Sequence, residues 1–161
     1  MNTGTIGLGY QIGCHDAWML TRPSGPASDA DIAAAETRLG THFDDQYKQW
    51  LRHVNGWVSF SGADDLFSLT QIARDSTEAK NMLVYLRSGE FTPQQLGITS
   101  FDQLIVVGGS LDGNAYFVAL QQAPASGARS MPVYAFSGGD FVRYDNFEAF
   151  IQKQIELLGE Q

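Results

Sequence analysis

The chain has 161 residues, 43% of them hydrophobic and 17% charged, with ten Lys and Arg against 18 Asp and Glu for a formal charge of -8. This length and composition exclude a disordered segment and fit one domain that buries about 70% of the surface its unfolded form exposes. The acidic balance speaks against direct nucleic-acid binding, which needs clustered cations, and favours encounter with a basic partner as well as plain solubility. Cys14 is the only cysteine, so an internal disulfide and a cysteine-rich zinc site are both excluded. The first twenty residues carry no Lys or Arg, and no apolar run approaches the ~18 residues of a membrane span. A cytoplasmic location, with no membrane association, is expected.

Residues 1–27 read as an N-terminal arm or edge strand, and 28–161 as one globular unit. In the arm Ile6, Leu8, Tyr10 and Ile12 alternate as in a strand. Gly7-Leu8-Gly9 with Gly13 lacks the spacing, the preceding strand and the acidic residue of a dinucleotide loop. Cys14-His15-Asp16 has the residue types of a nucleophile and its base, but neighbours in an extended chain point to opposite faces. Thr21–Ala27, with Pro23, Gly25 and Pro26, is a linker. Ser28, with Asp31 three positions on, starts a helix whose apolar face is Ile32, Ala35 and Leu39 alongside Glu36, and Gly40 stops it. A second helix starts at Asp44 or Asp45, carries Tyr47, Trp50, Leu51 and Val54 as one stripe, and ends at Asn55-Gly56.

Trp57–Phe60 alternates as a strand, Gly62–Asp65 reads as a turn, and Leu66–Leu69 as a second strand. Thr70 begins a helical stretch through Ile72, Ala73, Ala79, Met82, Leu83 and Leu86, broken near Asp75-Ser76. Thr92-Pro93 opens a short helical turn with proline in its favoured first position. Leu104–Gly108 is continuously apolar, which predicts a central strand. A turn at Ser110–Asn114 and a strand over Ala115–Leu120 complete a hairpin. Residues 121–130 form the expected mobile loop. Met131–Phe136 and Phe141–Tyr144 are further strands around a turn at Ser137–Asp140. A last helix starts near Asp145-Asn146, with Phe147, Phe150, Ile151, Ile155 and Leu158 as its buried stripe. The expected fold is α+β, a single domain with a mostly antiparallel sheet of about five or six strands and helices packed on one face.

The order Ile32, Glu36, Leu39-Gly40, Phe43, Tyr47-Lys48-Gln49-Trp50-Leu51, Asn55-Gly56 resembles the N-terminal signature of the SUKH superfamily. That superfamily includes the fungal Smi and Knr cell-wall-assembly regulators and many bacterial immunity proteins. Asp44 stands where the signature usually has proline, a mild departure because aspartate also begins a helix. Strand, Asp112-Gly113, strand, Pro132-Val133-Tyr134 and Asn146-Phe147-x-x-Phe150 resemble the C-terminal half of the pattern. There Gly113-Asn114 replaces the common glycine-aspartate. The likeness covers most of residues 28–158.

Function is not carried by any motif with chemistry behind it. His15, His42 and His53 lack metal-ligand spacing, and no G-x-S-x-G elbow is present. Asp64-Asp65 has the residue types of half a metal site or a catalytic carboxylate pair, yet adjacent acids beside a glycine are also an ordinary solvated turn. Asp112-Gly113-Asn114 lacks the oxygen spacing of a calcium loop, and Gly108-Gly109 the ending of a phosphate loop. The expectation is therefore a non-enzymatic protein with no cofactor and no metal. The resemblance implies an immunity protein that binds and neutralises a cognate bacterial toxin, such as a nuclease or deaminase with a basic groove. The alternatives are an interaction scaffold of the fungal regulator type and an undetected hydrolase. Trp57 as an aromatic anchor and Asp64, Asp65, Asp112 and Asp140 as turn acids are the candidate partner-binding residues, against the plain reading of core tryptophan and solvated acids.

Overall fold

Helix α1 (Asp29–Leu39) begins where Ser28 accepts from the Asp31 N–H at 3.1 Å and Asp31 reciprocates at the Ser28 N–H, a complete capping box. It ends at Gly40, whose φ of 63° is open to glycine at no steric cost. A computed structural model of the chain describes residues 21–89, 91–110, 112–113, 115–120 and 130–160. The expected arm strand and the Cys14-His15-Asp16 run lie outside them, as does all of the expected mobile loop except Ser130. Helix α2 (Asp45–Leu51) is joined to α1 through Glu36, which accepts from the Phe43 N–H at 2.8 Å and from Lys48 Nζ at 2.9 Å. It stops earlier than Asn55-Gly56 because the Leu51 carbonyl accepts from the Ala27 N–H at 2.8 Å. Asn55 is used differently: its side-chain oxygen accepts from the Leu69 N–H at 2.8 Å.

Six strands follow, β1 (Trp57–Ser61), β2 (Asp64–Leu66), β3 (Leu104–Ser110), β4 (Ala115–Leu120), β5 (Val133–Ser137) and β6 (Asp140–Tyr144). They form one antiparallel sheet in sequence order, a simple meander. Helix α3 (Thr77–Ser88) is inserted between β2 and β3, and α4 (Phe147–Gly159) closes the domain. The α+β class and the antiparallel sheet are as the sequence predicts. The helices, expected on one face, occupy both. Ile105, Val107, Phe117 and Val133 face α1, α2 and α4, whereas Leu104, Val106, Tyr116, Val118 and Tyr134 face α3. The reason is β3 itself, buried at every position from Leu104 to Gly109, so both of its faces need cover.

Between β2 and α3 the chain must therefore change faces. Leu69 and Ile72 still pack in the first core, and Ala79 already packs in the second. Two arginines fix this crossing. Arg38 donates to the carbonyls of Leu69 at 2.6 Å and Ile72 at 2.7 Å, and Arg74 donates to those of Leu39 at 3.2 Å and Asp102 at 2.8 Å. Residues 70–75 are accordingly turns rather than the expected helix, which begins only after the Ser76 cap. Strand β2 is also displaced: it starts at Asp64, inside the expected turn, and ends at Leu66.

In α4 the buried side chains are Phe147, Phe150, Ile151 and Gln154. Ile155, expected in this stripe, is 63% exposed, because the helix rotates it past the core after Ile151. Asp44 does more than begin α2. Only 8% exposed, its carboxylate accepts from the Tyr47 N–H and, across 87 positions, from the Met131 N–H, both at 2.7 Å. It thus ties the start of α2 to the chain entering β5.

Two measurements test these ties. Asp44→Ala lowers unfolding stability by about 2–4 kcal/mol, since two buried donors lose their acceptor. Asp44→Pro loses as much in a urea titration although the φ of -70° suits proline. For Glu36, burial pushes the carboxyl up, but the bonds from Lys48 and the Phe43 N–H outweigh it, so the group lies below its ordinary range. A depressed carboxyl contributes stability that is complete above the unfolded-state value and is lost as pH falls through the folded-state value. Glu36→Gln flattens this acid limb in a series of urea midpoints against pH.

Candidate partner-binding site

In a meander, alternate hairpin turns fall at the same end of the sheet. Ser61 pairs with Asp64, Asp64 with Ser110, Ala115 with Ser137, and Ser137 with Asp140. The β1–β2, β3–β4 and β5–β6 turns therefore share one rim. Asp64, Asp112 and Asp140 all lie on it, spread over four strand spacings or about 19 Å. Asp112 and Asp140 are exposed and Asp64 is half-buried. The sequence nominated these acids from separate turns, and the topology brings them together.

The two other nominated residues sit elsewhere. Asp65 is only 8% exposed, and its Oδ1 accepts from the Ser59 N–H at 2.7 Å. Ser59 has a φ of 52° at an irregularity in the β1–β2 register, so Asp65 satisfies a donor that the ladder leaves over. It belongs to β2, not to the solvated turn expected for it. Trp57 lies at the far end of β1 from the rim and packs half-buried against the core. Its indole N–H donates to Thr21 Oγ1 at 3.2 Å.

Helix α3 backs the rim. Glu78, Asn81 and Tyr85, spaced i, i+3 and i+7, share the flank turned towards it, whereas Lys80 and Arg87 fall on the other flank. Glu78 and Asn81 line a cleft of about 310 Å³ together with Ser110, Asp112 and Tyr116. Farther along, the Tyr85 hydroxyl accepts from the Gly139 N–H at 3.3 Å in the β5–β6 turn. The cleft floor includes Gly109, where a Cβ would stand 2.6 Å from the Ala115 carbonyl oxygen. Its wall is set by Ser110, whose Oγ donates to Asp112 Oδ1 at 2.5 Å and accepts from the Ala115 N–H at 2.9 Å. Glu78 and Asn81 were missed in the sequence because their helix reads there as core packing alone. The i, i+3, i+7 polar flank was the available signal.

Electrostatically the rim works against itself. Burial, then the charges of Asp112 and Asp65, push the Asp64 carboxyl above its ordinary range. Burial, with Tyr85 and Glu78 beside it, pushes the Tyr116 hydroxyl up as well. Such an edge gains when a cation arrives, because the approaching charge relieves the repulsion between the acids. Among the described residues no group of three His, Cys, Asp or Glu side chains is placed to hold a metal ion. Nor, among those residues, is any helix long and apolar enough to cross a membrane.

Fold and rim together define an α+β module: an open antiparallel meander between helices, with one acidic edge. The chain belongs to the SMI1/KNR4 family (SUKH-1), whose model matches residues 26–153. No curated protein matches it.

The repulsion at Asp64 has a sign that can be measured. A carboxyl raised in the fold contributes stability at low pH that is lost as pH rises through its folded-state value. Asp64→Asn is therefore more stable than the parent at neutral pH, and the difference closes in acid. Carboxyl NMR titration of Asp112→Asn shows the Asp64 midpoint moving back towards the ordinary range.

Proposed function

We propose that this chain is a non-enzymatic binding protein that neutralises a basic protein partner, a toxin of the kind countered by bacterial immunity proteins. The observation that carries the reading is the gathering of Asp64, Asp112 and Asp140 with Glu78 on one rim of a protein of formal charge -8. A toxin acting on nucleic acid presents a basic groove. An acidic edge about 19 Å long would speed the encounter by steering and hold the complex through its cleft. Family membership supports a binding role on the same footing as the resemblance that first suggested it.

The test begins with the tagged chain and a lysate of its own source, and with identification by mass of what it retains. A stoichiometric basic chain whose expression alone stops growth, and whose toxicity this protein relieves, is the expected partner. Glu78→Lys and Asp112→Lys, both at exposed positions, then slow association with it by about tenfold each. Asp29→Lys, at an exposed acid on α1, leaves the rate within about twofold. Equal association rates for parent and rim variants overturn the placement of the interface, and a regulator or cell-wall enzyme as the retained chain overturns the toxin reading.

A further inference from the structure

Helix α3 walls two cavities. Its Glu78 and Asn81 flank faces the acidic cleft, and its opposite flank, with Ala79, Met82 and Leu83, covers a separate cavity of about 200 Å³ above β3. The rest of that lining is largely apolar, with Phe101, Leu104 and Val106 across from the helix. Its two exposed residues, Arg74 and Asp102, mark the mouth, where Arg74 Nη1 donates to the Asp102 carbonyl at 2.8 Å. Alanines at 73 and 79 are among its walls.

We infer that this cavity is a binding site for a small uncharged apolar ligand, a single aromatic ring or a short alkyl chain. Size and chemistry both point there. A cavity of roughly 150 Å³ lined by aliphatic and aromatic side chains stays dry and takes up benzene. The space beneath α3 is slightly larger and lies below the ~300 Å³ at which drug-sized ligands begin to fit. Several of the side chains around the space are buried in the second core, so an occupant gains dispersion contacts from them without displacing protein. A charged ligand would have to leave part of its hydration for apolar walls and is disfavoured.

The experiment titrates benzene into the full chain and follows thermal unfolding, the Met82 methyl resonance and hydrogen exchange of α3 amides. The expected result is a saturable rise in the unfolding midpoint, a saturable Met82 shift and slower α3 exchange, with benzoate at least about tenfold weaker. Ala79→Leu, which fills the space, abolishes all three responses. Absence of a saturable response in the parent, or a parent-like response in Ala79→Leu, overturns the proposal. Should Ala79→Leu not fold, Leu83→Ala decides: it widens the cavity and moves the preference from benzene to naphthalene, and an unchanged preference overturns the site.

Discussion

A strand that is apolar on both faces cannot be covered from one side. Strand β3 imposes that condition here, with Ile105 and Val107 turned to one layer of helices and Leu104 and Val106 to the other. Much of the architecture follows from it. Because α1 and α2 precede the sheet and take one face, a later segment must reach the opposite face, and the Phe67–Ser76 crossing is that segment. Crossing chain has few ladder bonds of its own, so its carbonyls need other donors. Arg38 supplies two, to Leu69 and Ile72, and Arg74, itself within the crossing, anchors it by donating to the carbonyls of Leu39 and Asp102; each makes two bonds from one planar head, a geometry that lysine cannot reproduce. Helix α3 ends up where it can wall both an acidic cleft and an apolar cavity.

The parts of the fold written in local chemistry were legible in the sequence. Ser28 with Asp31, Thr92-Pro93 and Asn146 mark element starts through bonds made within a few residues, and each cap is present as read. What was not legible depends on distant partners. The early end of α2 needs Ala27, the turns at 70–75 need Arg38 on another helix, and the second acceptor role of Asp44 needs Met131. Asp44 shows the difference well. As a helix start it substitutes for proline without loss, yet its second bond holds together segments 87 residues apart, and no local pattern announces it.

The rim was half legible for the same reason. Turn signals identified Asp64, Asp112 and Asp140 one at a time, but only the even alternation of a meander places their turns at one end. Asp65 was misread because an acid beside a turn is indistinguishable, in sequence, from an acid that satisfies a bulge. Ile155 was misread through the geometry of a helix, where one position separates the buried Gln154 from an exposed isoleucine.

Charge sorting keeps the rim acidic although the chain holds several cations. Arg38 and Arg74 are committed to backbone carbonyls, and Lys48, Arg52, Arg143 and Lys153 to Glu36, Asp29, Asp145 and Glu156. None of those partners lies on the rim. The exposed pairs add little stability in water, but they fix where positive charge resides. On α3 the same sorting occurs within a single helix, with Glu78 turned towards the cleft and Lys80 and Arg87 away from it. Burial and the charges of Asp112 and Asp65 raise the Asp64 carboxyl above its ordinary range, and on the proposed function a basic surface docking there would relieve that repulsion as it binds. On that proposal, repulsion that costs the free protein stability would be returned as affinity, which is the physical reason for placing the proposed interface at the least comfortable edge of the sheet.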